Sequence, residues 1–188
     1  VPAPDAPVVE LGNAAVQIGG ITQEMSINRV NNKLMLDGGS VRATLEAVGR
    51  DGSSQGLDSQ GNIRVREDGL VQFSAEGFAP DSQLEVWLFS TPTLLGRVQI
   101  PAGGNIRGKF PLPGGIPDGQ HRIVLNGEAA GRKPVTMAIG IVVDREANAN
   151  NVRRVLIAIP LGLAVLFGLI LPPLKRRKKE DEELPQPA

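Results

Sequence analysis

His121 is the single histidine of the chain, and any histidine-dependent acid–base or nucleophilic chemistry would have to turn on it. A Ser–His–Asp arrangement needs only one histidine. No nucleophile-elbow motif accompanies it, however, and His121 stands at the start of an alternating apolar run. The reading that fits this setting is structural, a side chain that bonds a neighbouring loop. One histidine also excludes a multi-histidine metal site within one chain. With no cysteine, disulfides, thiolate metal sites and cysteine nucleophiles are excluded together.

Two loops carry residues of the right type for ligand chemistry but at the wrong spacing. GGNIRGKF contains G-x-x-x-x-G-K from Gly103 to Lys109, most of a phosphate-binding loop. The metal-binding Ser or Thr is replaced by Phe110, and PLPGG follows where a helix should begin, so no helix dipole would hold a phosphate. DGSSQGLDSQGN, from Asp51 to Asn62, offers carboxylate and amide oxygens to calcium. It lacks both the D-x-[DN]-x-[DN]-G spacing and the terminal Glu of a calcium loop. Both read as turns, and neither a metal nor a cofactor is expected. Trp87 is the only tryptophan and there is no tyrosine, which argues against the flat aromatic platforms that sugar-binding faces use.

The elements that would position these residues are short and of period two. The clearest runs are 41–48, 63–66, 70–75, 84–89, 94–100, 106–110, 121–126 and 135–143. In QLEVWLFS, Leu84, Val86 and Leu88 share one face and Glu85, Trp87 and Phe89 the other. Turn-rich segments such as DGSSQG, EDG, APDS, PAGG and NGEAAG separate the runs. Many short strands with frequent turn signals predict an all-β domain, an antiparallel sandwich or barrel. No segment before Val152 holds a helical period long enough for a βαβ unit. Residues 1–40 alternate less cleanly and are expected to form an N-terminal segment, either edge strands added to a domain over 41–143 or a looser piece beside it. Up to Asn151 the chain has 13 basic and 16 acidic residues. This mixed-sign surface gives no electrostatic footprint for nucleic acid.

GFAPDSQLEVWLFSTPTLLGRVQI, followed by GKFPLPGGIPDGQHRIVLNG, resembles the Ig-like domains of actinobacterial surface and secreted proteins. The matching residues are Gly77, Phe78, Pro80, Trp87, Ser90, Pro92, Leu95, Gly96, Gly119 and His121, and the likeness spans roughly Val41 to Val143. It implies an Ig-like antiparallel β-sandwich at a cell surface. Its motifs describe turns and core strands, and they imply no catalytic activity.

After Asp144 the chemistry changes. VLIAIPLGLAVLFGLILPPL, Val155–Leu174, is twenty residues without a charge, about 30 Å of helix and enough to cross a bilayer. Lys175, Arg176, Arg177, Lys178 and Lys179 follow it, against Arg153 and Arg154 before it. The positive-inside rule therefore places the 175–188 tail in the cytoplasm and the N-terminal domain outside. That topology needs an export signal. The opening VPAPDAPVVE has neither a basic region nor an apolar one, so a signal peptide removed before Val1 is expected. Ala158–Gly162 and Ala164–Gly168 are small-xxx-small pairs that permit close helix packing. Residues 144–154 read as a short stalk; its polar part, Asp144–Asn151, reaches about 28 Å at most. The expectation is a non-enzymatic, single-pass plasma-membrane protein whose outer Ig-like domain contacts another membrane or cell-envelope protein. The alternative is an accessory subunit of a larger membrane complex, docked through both helix and sandwich. Neither reading sets an oligomeric state.

Overall fold

The computed structural model describes residues 2–66 and 69–144. The span Val155–Leu174, its small-residue pairs and the basic cluster lie outside the described residues. Among the described residues twelve strands form two sheets and no helix occurs. The strands are β1 (Ala14–Ile18), β2 (Ile21–Glu24), β3 (Ser26–Val30), β4 (Lys33–Asp37), β5 (Arg42–Val48), β6 (Arg64–Arg66), β7 (Leu70–Glu76), β8 (Gln83–Phe89), β9 (Thr93–Gln99), β10 (Ile106–Pro111), β11 (Gly119–Glu128) and β12 (Pro134–Asp144). One sheet runs β2-β1-β12-β11-β8-β9, with short β6 added to β12; the other runs β10-β7-β5-β4-β3. Every pairing is antiparallel except β6 with β12.

The period-two pattern explains why these runs pair as they do. Alternate side chains of a strand fall on one face. Leu34, Leu45 and Phe73 from the five-stranded sheet meet Leu84, Ile123, Leu125, Met137 and Ile139 from the seven-stranded one in a single core. The result is a β-sandwich. Its two long sides close differently. On one side the chain passes from β2 to β3 through a single residue, Met25, which is buried between the sheets. On the other, Phe110 of β10 lies against Gly96 of β9 and stacks on Phe73 at 5.9 Å. A Cβ at Gly96 would come within 2.3 Å of the Phe110 ring, so only glycine allows that closure. The turns use residues that tolerate positive φ. Asn31 (φ 49°) and Asn32 (φ 65°) make the two-residue β3–β4 hairpin, the backbone pattern of a type I′ turn.

The N-terminal segment is part of the sandwich. Residues 14–37 supply four strands; β2 and β3 are edges, while β1 pairs with β12 and β4 with β5 inside the sheets. Asp144, assigned by its polarity to the stalk, is the last residue of β12. It faces Arg66 in register and forms an ion pair with Arg64.

Candidate functional site

The residues singled out for chemistry are held by local partners. His121 is buried on the inner face near the start of β11. Its Nε2 lies 2.8 Å from the Pro117 carbonyl oxygen and its Nδ1 2.9 Å from Ser90 Oγ. A carbonyl can only accept, so Nε2 carries the proton and Nδ1 accepts from the serine hydroxyl. His121 thus ties the loop after β8 to the loop before β11. In the 51–62 segment the carboxylates serve the turns. Asp51 accepts from Ser53 N–H and Oγ–H at 3.0 and 2.6 Å, which hold it below the usual carboxylate range. Asp58 accepts from Gln60 N–H, Asn62 N–H and the Asn62 side-chain amide at 2.8 to 2.9 Å. Partial burial works to raise its pKa, but those bonds, led by Asn62, lower it overall. No group of three His, Cys, Asp or Glu side chains that could hold a metal occurs among the described residues. Residues 103–109 form a turn running into β10.

What distinguishes the molecule is the treatment of its two outer faces. On the seven-stranded sheet, Trp87, Val124 and Ala138 form a second apolar cluster, covered by Ala6 and Val9 of the N-terminal segment. Pro2, Pro4 and Pro7 lack N–H groups and cannot extend a ladder, so this segment crosses the face instead. Arg122 donates to the Pro7 carbonyl at 2.7 Å while its guanidinium lies 5.4 Å over the Phe89 ring. The segment enters β1 over Gly140, where a Cβ would stand 2.1 Å from the Glu10 carbonyl oxygen. This cover makes β12 buried along nearly its whole length. Beside the apolar cluster sits a partly buried carboxylate. Glu85 accepts from Arg97 at 2.9 Å, Trp87 Nε1 at 3.1 Å and Asn126 at 3.3 Å. Thr136 in turn bonds Asn126 at 3.0 Å. Burial works to raise the Glu85 pKa, but these three donors and the Arg97 charge outweigh it and leave it lowered.

The outer face of the five-stranded sheet is mostly polar, with Val30 and Met35 exposed on it, and is bare of any covering segment among the described residues. Register places its side chains in three rows across the strands. The first is Val30, Lys33, Glu46, Gln72, Lys109; the second Asn28, Met35, Thr44, Ser74, Arg107; the third Ser26, Asp37, Arg42, Glu76. In the first row Lys33 pairs with Glu46 at 3.2 Å. In the third, Arg42 bridges Asp37 at 3.1 Å and Glu76 at 3.3 Å. The Gly39 N–H and Arg42 together lower the Asp37 pKa, and both carboxylates raise that of Arg42. The middle row has hydroxyl side chains at its centre. Two hollows result, of about 620 Å³ and about 460 Å³, and Thr44, Ser74 and Arg107 line both. Trp87 lies on the other sheet and is buried, so no indole platform is offered here. This face was not recognised from sequence, because Thr44, Ser74 and Arg107 are far apart in the chain and only register aligns them.

No family model matches the chain, and no curated protein matches it at a significant level.

Proposed function

We propose that this chain is a non-enzymatic, membrane-anchored extracytoplasmic domain of Ig-like type that makes contacts with another membrane or cell-envelope protein. The observation that carries the reading is the end of β12. The last strand of the sandwich stops at Asp144, and ten residues, 145–154, separate it in sequence from the uncharged run Val155–Leu174. Ten residues span about 35 Å at most, which limits partners to other membrane proteins and to material just above the leaflet. The bound state of His121 and of the Asp51 and Asp58 carboxylates supports a non-catalytic role, since each is engaged in holding a loop.

Two measurements test it. External protease on intact cells should remove the sandwich and spare the 175–188 tail; a protected sandwich would reverse the topology. Crosslinking in native membranes, followed by mass spectrometry, should recover a membrane or envelope protein attached through the sandwich. Crosslinks concentrated near Gly162 would instead favour the accessory subunit, docked through its helix, and absence of any reproducible partner would overturn both.

A further inference from the structure

We infer that the outer face of the five-stranded sheet is a docking trough for an extended acidic segment of a partner protein, with Arg107 and Lys109 as its carboxylate receptors. The inference deepens the contact-making function proposed above and rests on it.

Charge carries the first part of the argument. Three anionic side chains stand on this face, Asp37, Glu46 and Glu76, and each is paired with Lys33 or Arg42 of its own row. The side chains of Arg107 and Lys109, adjacent outward positions of β10, make no ion pair or hydrogen bond among the described residues. Lys33 and Glu46 cancel, Arg42 is shared between Asp37 and Glu76, and the two remaining cations sit together at the β10 end of the trough. The hollow lined by Lys33, Glu46, Arg107 and Lys109 is therefore locally positive, and at short range it favours a negative group although the chain up to Asn151 is net acidic.

Shape carries the second. Paired, longer side chains form two ridges, and Thr44 and Ser74 form a low floor between them. The floor spans β5 and β7, between exposed Met35 of β4 and Arg107 of β10 in the same row. A chain in extended conformation fits such a channel, and its backbone groups can meet the floor hydroxyls while an acidic side chain reaches Arg107. Arg107 lines both hollows, and its planar fork suits a carboxylate in bidentate geometry. The three rows contain no aromatic residue, so the stacking that sugar rings use is lacking. That favours a polypeptide over an anionic glycan.

The test uses the full chain in detergent micelles at low ionic strength, where surface charge is least screened. Fluorescence anisotropy would follow a labelled alternating Glu-Ser decapeptide, with a Lys-Ser decapeptide and polygalacturonate as competitors. The acidic peptide should bind and the Lys-Ser peptide should not compete. Arg107→Glu with Lys109→Glu should weaken binding by about tenfold or more, and Arg107→Gln with Lys109→Gln should weaken it less. Ser74→Phe, which fills the floor and leaves every charge in place, should also abolish binding. Lys133→Glu, on the β11–β12 turn, should change nothing. The site is overturned if the peptide fails to bind, if both the charge and the floor variants bind normally, or if polygalacturonate displaces the peptide at lower concentration. Those failures would leave the contact-making function standing, because partner crosslinking of the unmodified chain tests that separately.

Discussion

One outer face of this sandwich carries a tryptophan under a proline-containing cover, and the other carries two hydroxyls between rows of paired charges. Both faces are made by the alternate positions of ordinary antiparallel strands. Their difference is set by residues distant in sequence. Trp87, Val124 and Ala138 are buried because Ala6 and Val9 pack over them; Thr44 and Ser74 are half-buried between longer side chains of the two flanking rows. A strand's alternation tells which residues share a face, but the rest of the chain decides whether that face meets water.

The comparison can be broken by truncating matched positions in a fragment of residues 1–144. Trp87→Ala should have the largest effect, a loss of about 3–5 kcal/mol in denaturant unfolding, as for other buried aromatic truncations. A loss below about 1 kcal/mol would mean that the N-terminal cover does not bury this face in solution. Gly140→Ala should follow, costing about 1–3 kcal/mol because the new methyl meets the Glu10 carbonyl. It should also shift the emission of Trp87, the only tryptophan, to longer wavelength as the cover lifts. Unchanged emission would show that the backbone yields without releasing the segment.

Glu85 gives the pH counterpart. Its folded pKa lies below its ordinary value of 4.5, so the folded state binds fewer protons than the unfolded chain around that pH. Its contribution is fully present above the unfolded pKa and is lost as pH falls through the lowered folded value. The melting temperature should therefore fall on acidification below about pH 4.5, and Glu85→Gln should flatten part of that fall. An identical profile in the variant would show that Glu85 does not couple to folding. The smallest effect belongs to the bare face. Thr44→Ala should change stability by no more than about 0.5 kcal/mol, as for other surface substitutions; a larger loss would mean that something covers this face too.

The strands of residues 41–143 were legible because their alternation is regular and their turn residues are dense. Each of the eight runs marked by pattern overlaps a strand from β5 to β12. Residues 14–37 were harder, because β2 reads ITQE and is exposed at every position, so its apolar period carries no core signal. The Asn31-Asn32 pair was a usable hairpin signal there. The run 63–66 marked β6, but its parallel addition to β12 left no sign, since alternation does not tell which strand a run pairs with or in which direction. QLEVWLFS was divided correctly between its faces. That the Trp87 face would also be buried could be anticipated from the unbroken apolar run of β12, MAIGIVV, which a strand with one wet face does not show. The polar trough was beyond reach, because it exists only in the register of five strands.

β12 has a mechanical consequence. It is paired along both edges, with β11 over ten positions and with β1 over five and β6 over three. It is also the strand from which the chain leaves the sandwich toward residue 145. A tension applied at Asp144 along the strand axis would load these ladders together in shear, so that many bonds must fail at once. Had an edge strand such as β9 led outward, the same pull could unzip its bonds one by one. Rupture under load is governed by the unfolding barrier and not by equilibrium stability. Of the strands described, β12 is thus well placed to bear a pull applied at Asp144.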